Sequence, residues 1–306
     1  GLGDVARALP RALARRGHDV RLLLPRYTGL PAGSPAGAVT VRSGAIGGTF
    51  EVRDLGDHDG VRYYTVGAFE DRQWARPEGY VEKDLDLFVL FSRAVADLAA
   101  SPGTRVDGLP SADVVHCNDW HVAHVPLALR WQTAGCRSVL TIHNLAYQGL
   151  FPYEKAERLG LAEQGVGNLL AQGIRHADVV TTVSQRYRDE TLSPVQGRGL
   201  QDLLAGRGDD YVGVLNGVDY EDFHPATDPH LPAGFDIDDL TGKAACKAWL
   251  QKRSGLAAEP DTPLVAFVGR LVDQKGVAQL LESIDELAGM RLQLVIVGRG
   301  PLYERA

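Results

Sequence analysis

Methionine is almost missing from this chain: Met290 is the only one in 306 residues. Cysteine is scarce as well. Cys117, Cys136 and Cys246 are odd in number and widely scattered, and no CxxC pair occurs. That excludes a disulfide framework and a zinc ribbon, and points to a reducing, cytoplasmic setting. Long hydrophobic runs are absent too. The longest, such as 20–25, suits a buried strand and falls far short of the roughly 20 residues needed to cross a bilayer. Cationic excess is lacking: the formal net charge is -7, which argues against nucleic acid or anionic membrane as a general partner. No Walker A sequence is found, and no complete G-x-G-x-x-G with an acid about 20 residues on, so a dinucleotide oxidoreductase loses support. What remains, 44% hydrophobic and 23% charged residues, is an ordinary globular composition at a length of about two domains.

The pattern along the chain alternates strand and helix. A helix over 5–16 leads to a strand at 20–25. Three short strands at 39–43, 48–54 and 61–66 suggest an antiparallel excursion. A helix at 83–100 carries Leu85, Phe88, Val89, Val95 and Leu98 on its apolar face. Strands are expected at 113–117, 138–143, 178–184 and 211–215, with helices at 121–133 and 169–176 between them. This implies a mainly parallel sheet covered on both faces. From 220 the pattern loosens around prolines 225, 229 and 232, with one helix at 240–254. A strand at 263–269, a helix at 277–287 and a strand at 292–297 then open a second α/β unit. The resulting division is 1–222, a connector 223–262, and 263–306. Gly1 opens on a glycine turn without the strand that usually precedes one. The last helix has barely begun at Ala306. The chain is therefore expected to be a piece cut at both ends.

Ligands of open parallel sheets sit outside the carboxyl ends of the strands. The polar residues there are His116-Cys117-Asn118-Asp119-Trp120-His121, His143-Asn144, Ser184 and Asn216-Gly217-Val218-Asp219, with Gly269-Arg270 and Lys275-Gly276 in the second unit. Gly1 and Gly3 suit backbone approach to a phosphate at a helix start, or simply a tight turn with Asp4 in the first helical turn. His116, Asp119, His121 and His124 form a candidate metal cluster, but their spacing does not match the two-histidine helical zinc pattern. His121 reads as a hydrogen-bonding group in a cleft, or as a cap. Arg270 and Lys275, beside Gly269 and Gly276, suit a diphosphate, or are two solvated surface charges.

Taken together the motifs resemble the bacterial glycogen synthase and plant starch synthase family, the ADP-glucose-dependent enzymes of glycosyltransferase family 5. The stretches that carry the resemblance are GLGDV at 1–5 with ALP at 8–10, GHDV at 17–20, and LPRY at 24–27. DVVHCNDWH at 113–121, TIHNLAYQG at 141–149 and ADVVTTVS at 177–184 follow. The last are VLNGVD at 214–219, PATDPHL at 225–231 and VGRLVDQKG at 268–276. They cover nearly the whole chain in family order. The resemblance implies the α/β GT-B fold: two Rossmann-like domains facing a cleft, here with the first nearly complete and the second partly present. It implies retaining transfer of glucose from ADP-glucose to the non-reducing-end 4-hydroxyl of an α-1,4-glucan. No metal and no cofactor beyond that co-substrate are implied. Arg270 and Lys275 would hold the donor diphosphate, and His121 the transferred glucose. Gly1, Gly3, Asp4, Asn216 and Gly269 would lie near phosphate and sugar. Asn118, Asp119, Trp120, His143, Asn144, Tyr147 and Gln148 would line the acceptor-side cleft. Two departures stand out: Ala171 replaces a lysine common in the family, and Arg299 a small or polar residue. The family's later Glu-Pro-x-Gly-Leu segment is not in this sequence, so the chain alone is expected not to catalyse. A related GT-B enzyme with another donor or acceptor, and a non-catalytic glucan-binding module, remain as alternatives.

Overall fold

A computed structural model describes residues 2–68, 85–100, 106–132, 135–161 and 167–303. The chain divides into two compact units, Gly1–Gly217 and Val218–Ala306.

In the first unit, α1 (Leu2–Arg15) leads to β1 (Val20–Pro25). The expected excursion is there, but its strands are longer: β2 (Ser34–Ser43), β3 (Ile46–His58) and β4 (Val61–Ala68). β2 pairs antiparallel with β3 and β3 with β4, while β4 runs parallel to β1, giving the order β1-β4-β3-β2. Gly44 turns the first hairpin at φ 56° and lies so close to Gly160 that an added Cβ on either would strike the other's backbone. Ser43 Oγ donates to the Leu159 carbonyl at 2.6 Å beside this contact. The hairpin is thereby pinned to α4 (Tyr153–Leu159), a helix that the periodicity did not reveal.

α2 (Leu85–Ala100) is buried on more than the predicted stripe. Leu90, Phe91, Ser92, Ala94 and Ala96 are covered as well as Leu85, Phe88, Val89, Val95 and Leu98. With only Asp86, Leu87, Arg93, Asp97 and Ala100 part-exposed it is a core helix, and it packs on β2 as well as on α3 (Val125–Arg130). The second sheet is wholly parallel: β5 (Val114–Asn118), β6 (Arg137–Ile142), β7 (Val179–Thr182) and β8 (Tyr211–Gly213), in that order. Among the described residues the strands of this unit thus form two four-stranded sheets, one mixed by the expected antiparallel excursion and one mainly parallel as the alternation implied.

The helix predicted at 121–133 is a correction. Trp120–Val122 forms one 3-10 turn, and α3 begins only at Val125. Pro126 is the cause: it has no N–H for the Val122 carbonyl, and its ring would clash there in a continuous helix. The segment predicted at 169–176 is α5 (Leu169–His176), capped by the Asn168 side chain, which accepts from Ala171 N at 2.9 Å. Ala171 is buried within it. α6 (Gln185–Thr191), capped by Ser184, and α7 (Gln201–Ala205) complete the unit.

The second unit holds α8 (Gly242–Arg253), then β9 (Leu264–Val268) paired parallel with β10 (Gln293–Val297). The helix expected at 277–287 is broken at Ser283 into α9 (Val277–Glu282) and α10 (Ile284–Ala288). Among the described residues no helix is long and apolar enough to cross a membrane.

Candidate active site

The residues at the carboxyl ends of β5 and β6 converge. Asp119, just beyond β5, has φ 61° and ψ -176°. A non-glycine residue pays a strain cost there and persists only when its surroundings hold it. They do: its N–H donates to the Thr141 carbonyl at 2.9 Å, and its Oδ1 accepts from His143 N at 2.7 Å and, more weakly, Asn144 N at 3.4 Å. One carboxylate thus ties the end of β5 to the loop after β6. Asp119 is 3% exposed, and among the described residues Oδ2 has no hydrogen-bond partner. Burial pushes its pKa up to about 6, partly offset by the two amides.

His143 faces the same rim. Its Nε2 lies 2.9 Å from Asn118 Oδ1, an acceptor, so Nε2 carries the proton and Nδ1 keeps a lone pair. Burial lowers its pKa to about 4, and that of His121 likewise. His121 is not placed as a cap. Its ring stacks on Trp120 at 4.2 Å and 26°, and meets Phe88 edge-on at 4.9 Å. Trp120 is buried, and among the described residues its indole N–H has no partner. Gly149 closes over Trp120: it has φ 63°, and an added methyl would run into the indole ring.

Between them runs the 144–149 loop. Asn144 Oδ1 accepts from Ala146 N at 3.0 Å. Tyr147 N donates to the Asn144 carbonyl at 3.3 Å. Gln148 Nε2 donates to the carbonyls of Leu145 and Arg198, both at 3.1 Å, while its Oε1 accepts from Asn168 Nδ2 at 2.5 Å. Tyr187 on α6 accepts from Leu145 N at 3.3 Å. Asn168, Tyr187 and Arg198 escaped the sequence reading. Only the cap pattern at Asn168 and Ser184 hinted at them. His116 lies further back, with Nε2 2.6 Å from Thr141 Oγ1.

Other expectations fall elsewhere. Gly1 lies outside the described residues. Gly3 and Asp4 are exposed and sit inside α1 rather than in a turn ahead of it, because the helix already starts at Leu2. Asn216 is exposed in the irregular stretch after β8. His116, Asp119, His121 and His124 do not assemble as ligands. His124 is buried with Nδ1 against Gln172 Oε1 at 2.8 Å, and no metal-holding group of three occurs among the described residues.

In the second unit Arg270 and Lys275 are exposed, and among the described residues neither is in an ion pair. The turn that carries them is braced. Gly269 N donates to the Val297 carbonyl at 3.0 Å, Leu271 N to Arg299 O at 2.9 Å, and Leu302 N to Leu271 O at 3.2 Å. Gly276 ends it at φ 74°. A backbone so fixed presents two cations with unspent donors beside the amino end of α9.

This chain matches the starch synthase catalytic domain model over residues 1–206. It is 37% identical to glycogen synthase 2 of Geobacter sulfurreducens, aligned over 98% of this chain and 66% of that one. It is 39% identical to a glycogen synthase of Anaeromyxobacter sp., over 100% and 67%. The chain belongs to the starch synthase catalytic-domain family. Among solved structures it resembles the catalytic domain of Arabidopsis thaliana starch synthase IV bound to ADP and acarbose, with a TM-score of 0.83 and 31% identity over 100% of this chain and 66% of that one. The α/β GT-B class expected from the sequence is the class this likeness shows for the chain. The chain spans about two thirds of the length of these family members.

Proposed function

We propose that the protein to which this chain belongs is a glycogen (starch) synthase. It transfers glucose from ADP-glucose to the non-reducing-end 4-hydroxyl of an α-1,4-glucan, with retention at the anomeric carbon. The observation that carries the reading is the likeness, end to end in this chain, to a starch synthase bound to ADP and acarbose. ADP is the leaving group of the proposed reaction, and acarbose resembles a short glucan.

The step needs no carboxylate nucleophile of the kind retaining hydrolases use. The glucosyl C1–O bond to ADP breaks as the acceptor O4 bonds to C1 from the same face, and the O4 proton passes to the departing phosphate oxygen. Arg270 and Lys275 stabilise the charge growing on that phosphate, with Gly269 giving close backbone access. Gly1, Gly3, Asp4 and Asn216 contribute on the donor side. His121 contacts the transferred glucose. Asn118, Asp119, Trp120, His143, Asn144, Tyr147 and Gln148 shape the acceptor side. Neutral imidazoles suit sugar hydroxyls, and the fixed cations are left to the phosphates. The protein acts in the cytoplasm and uses no further cofactor.

The test is incorporation of labelled glucose from ADP-glucose into maltooligosaccharide by the intact protein, with UDP-glucose in competition. Transfer favouring ADP-glucose is expected. Transfer from no sugar nucleotide would overturn the assignment. The 306-residue chain by itself is expected to show none.

A further inference from the structure

The starting ends of β5, β6 and β7 lie at the edge of the second sheet opposite the rim described above. Strands of four to six residues put the two edges roughly 13 to 20 Å apart. A groove of about 600 Å³ opens there. In a chain of net charge -7, it gathers three arginines from three different segments: Arg130 at the end of α3, Arg137 at the start of β6, and Arg207 after α7. Asp178 and Asp210 are the carboxylates in its lining.

The donors of these arginines are only partly used. Arg130 donates Nε to the His176 carbonyl at 2.9 Å. Arg137 Nη1 meets Asp178 Oδ1 at 2.9 Å. Arg207 Nη2 donates to the carbonyls of Ala177 and Asp178 at 2.7 and 2.8 Å, and lies 3.7 Å from Asp210. Asp178 Oδ2 is already taken by the Ser138 amide and hydroxyl, at 2.8 and 2.9 Å. Among the described residues no partner accepts from the Nη groups of Arg130, and the buried Nε of Arg207 is also unpartnered. His176, next to the groove, has its pKa lowered first by burial and then by Arg130 and Arg175.

Planar guanidinium forks with spare donors match the oxygens of a phosphate. We propose that this groove is a second ligand site, separate from the candidate active site, and that it binds a small phosphate-bearing anion. The carbonyl contacts aim Arg130 and Arg207, the Asp178 carboxylate aims Arg137, and the Nη groups of Arg130 together with the remaining donors of Arg137 face the ligand.

Binding of inorganic phosphate to the intact protein, measured by calorimetry at constant ionic strength in chloride, tests this. Three variants accompany the parent: Arg137→Gln, Arg130→Gln/Arg137→Gln and Arg270→Ala/Lys275→Ala. Arg137 is the safest single change, because its side chain is 75% exposed. Losing one charge-assisted bond should weaken phosphate about tenfold in Arg137→Gln. The double groove variant should lose this site altogether, while Arg270→Ala/Lys275→Ala should retain it. Unchanged thermal melting establishes that the groove variants are folded. Phosphate binding that loses no site in the double groove variant, or that vanishes altogether with Arg270 and Lys275, overturns the proposal. So does the absence of any phosphate binding to the parent.

Discussion

Asp119 and the histidines near it pull stability in opposite directions as pH changes. His121, His124 and His143 each have a pKa lowered to about 4 from the ordinary 6.5. Between those values the unfolded chain takes up protons that the folded chain refuses, so stability falls as pH drops from 6.5 towards 4. Asp119 is raised from 3.8 to about 6. In that window the folded chain holds a proton the unfolded one lacks, so this group adds stability on acidification, up to about 3 kcal/mol. His116 and His176, also lowered, act in the same direction, so the histidines outweigh the one carboxyl and the melting temperature should fall between pH 6.5 and 5. Asp119→Asn removes the opposing contribution and should make that fall steeper in calorimetry; an unchanged slope would show that Asp119 does not titrate there. His121 raises a separate question, since its ring is part of an aromatic stack. His121→Phe preserves the stacking surface and removes both ring nitrogens. The proposed sugar contact predicts a kcat loss of about a hundredfold, the scale of a lost buried polar contact, with melting nearly unchanged. Full activity in this variant would reduce His121 to packing.

At the scale of elements, legibility follows how local each cause is. Polar residues at strand ends were readable because strand position alone puts them on the rim. Pro126 was equally local, and the helix break it imposes was readable in principle. The strained backbone of Asp119 was not, because the Thr141 carbonyl and the His143 amide that hold it arrive only when β5 pairs with β6. The same is true of the three arginines, which meet only once the second sheet is assembled. HNLAYQG was recognisable as a motif, yet its glycine acquires a reason only in three dimensions. Gly149 sits against Trp120 at φ 63°, so Gly149→Ala combines a disfavoured conformation with a clash against a buried indole. A loss of about 2 to 4 kcal/mol is expected, read as a lower denaturation midpoint. The loop should shift with it, so transfer by the intact protein should also drop. A stable, fully active alanine variant would mean that the loop closes over Trp120 more loosely than its geometry implies.

For the molecule as a whole, the proposed chemistry divides between the two units. The first has buried, neutral imidazoles and one uncharging carboxyl at its rim; the second offers Arg270 and Lys275 on a braced turn. If charge stabilisation on the leaving phosphate is the second unit's share, removing both cations should spare whatever the first unit does with glucan. Arg270→Ala/Lys275→Ala in the intact protein should therefore lower kcat by about a thousandfold or more, the scale of deleting electrostatic stabilisation at a developing charge. Affinity for maltooligosaccharide should change by less than about threefold, a few tenths of a kcal/mol. Both cations are exposed, so the loss cannot be ascribed to unfolding of a core. A purely solvated pair would leave kcat intact, and a variant that lost glucan affinity in proportion to kcat would place these residues in acceptor binding instead. The split between the two constants thus separates a phosphate role from every other use of the same charges.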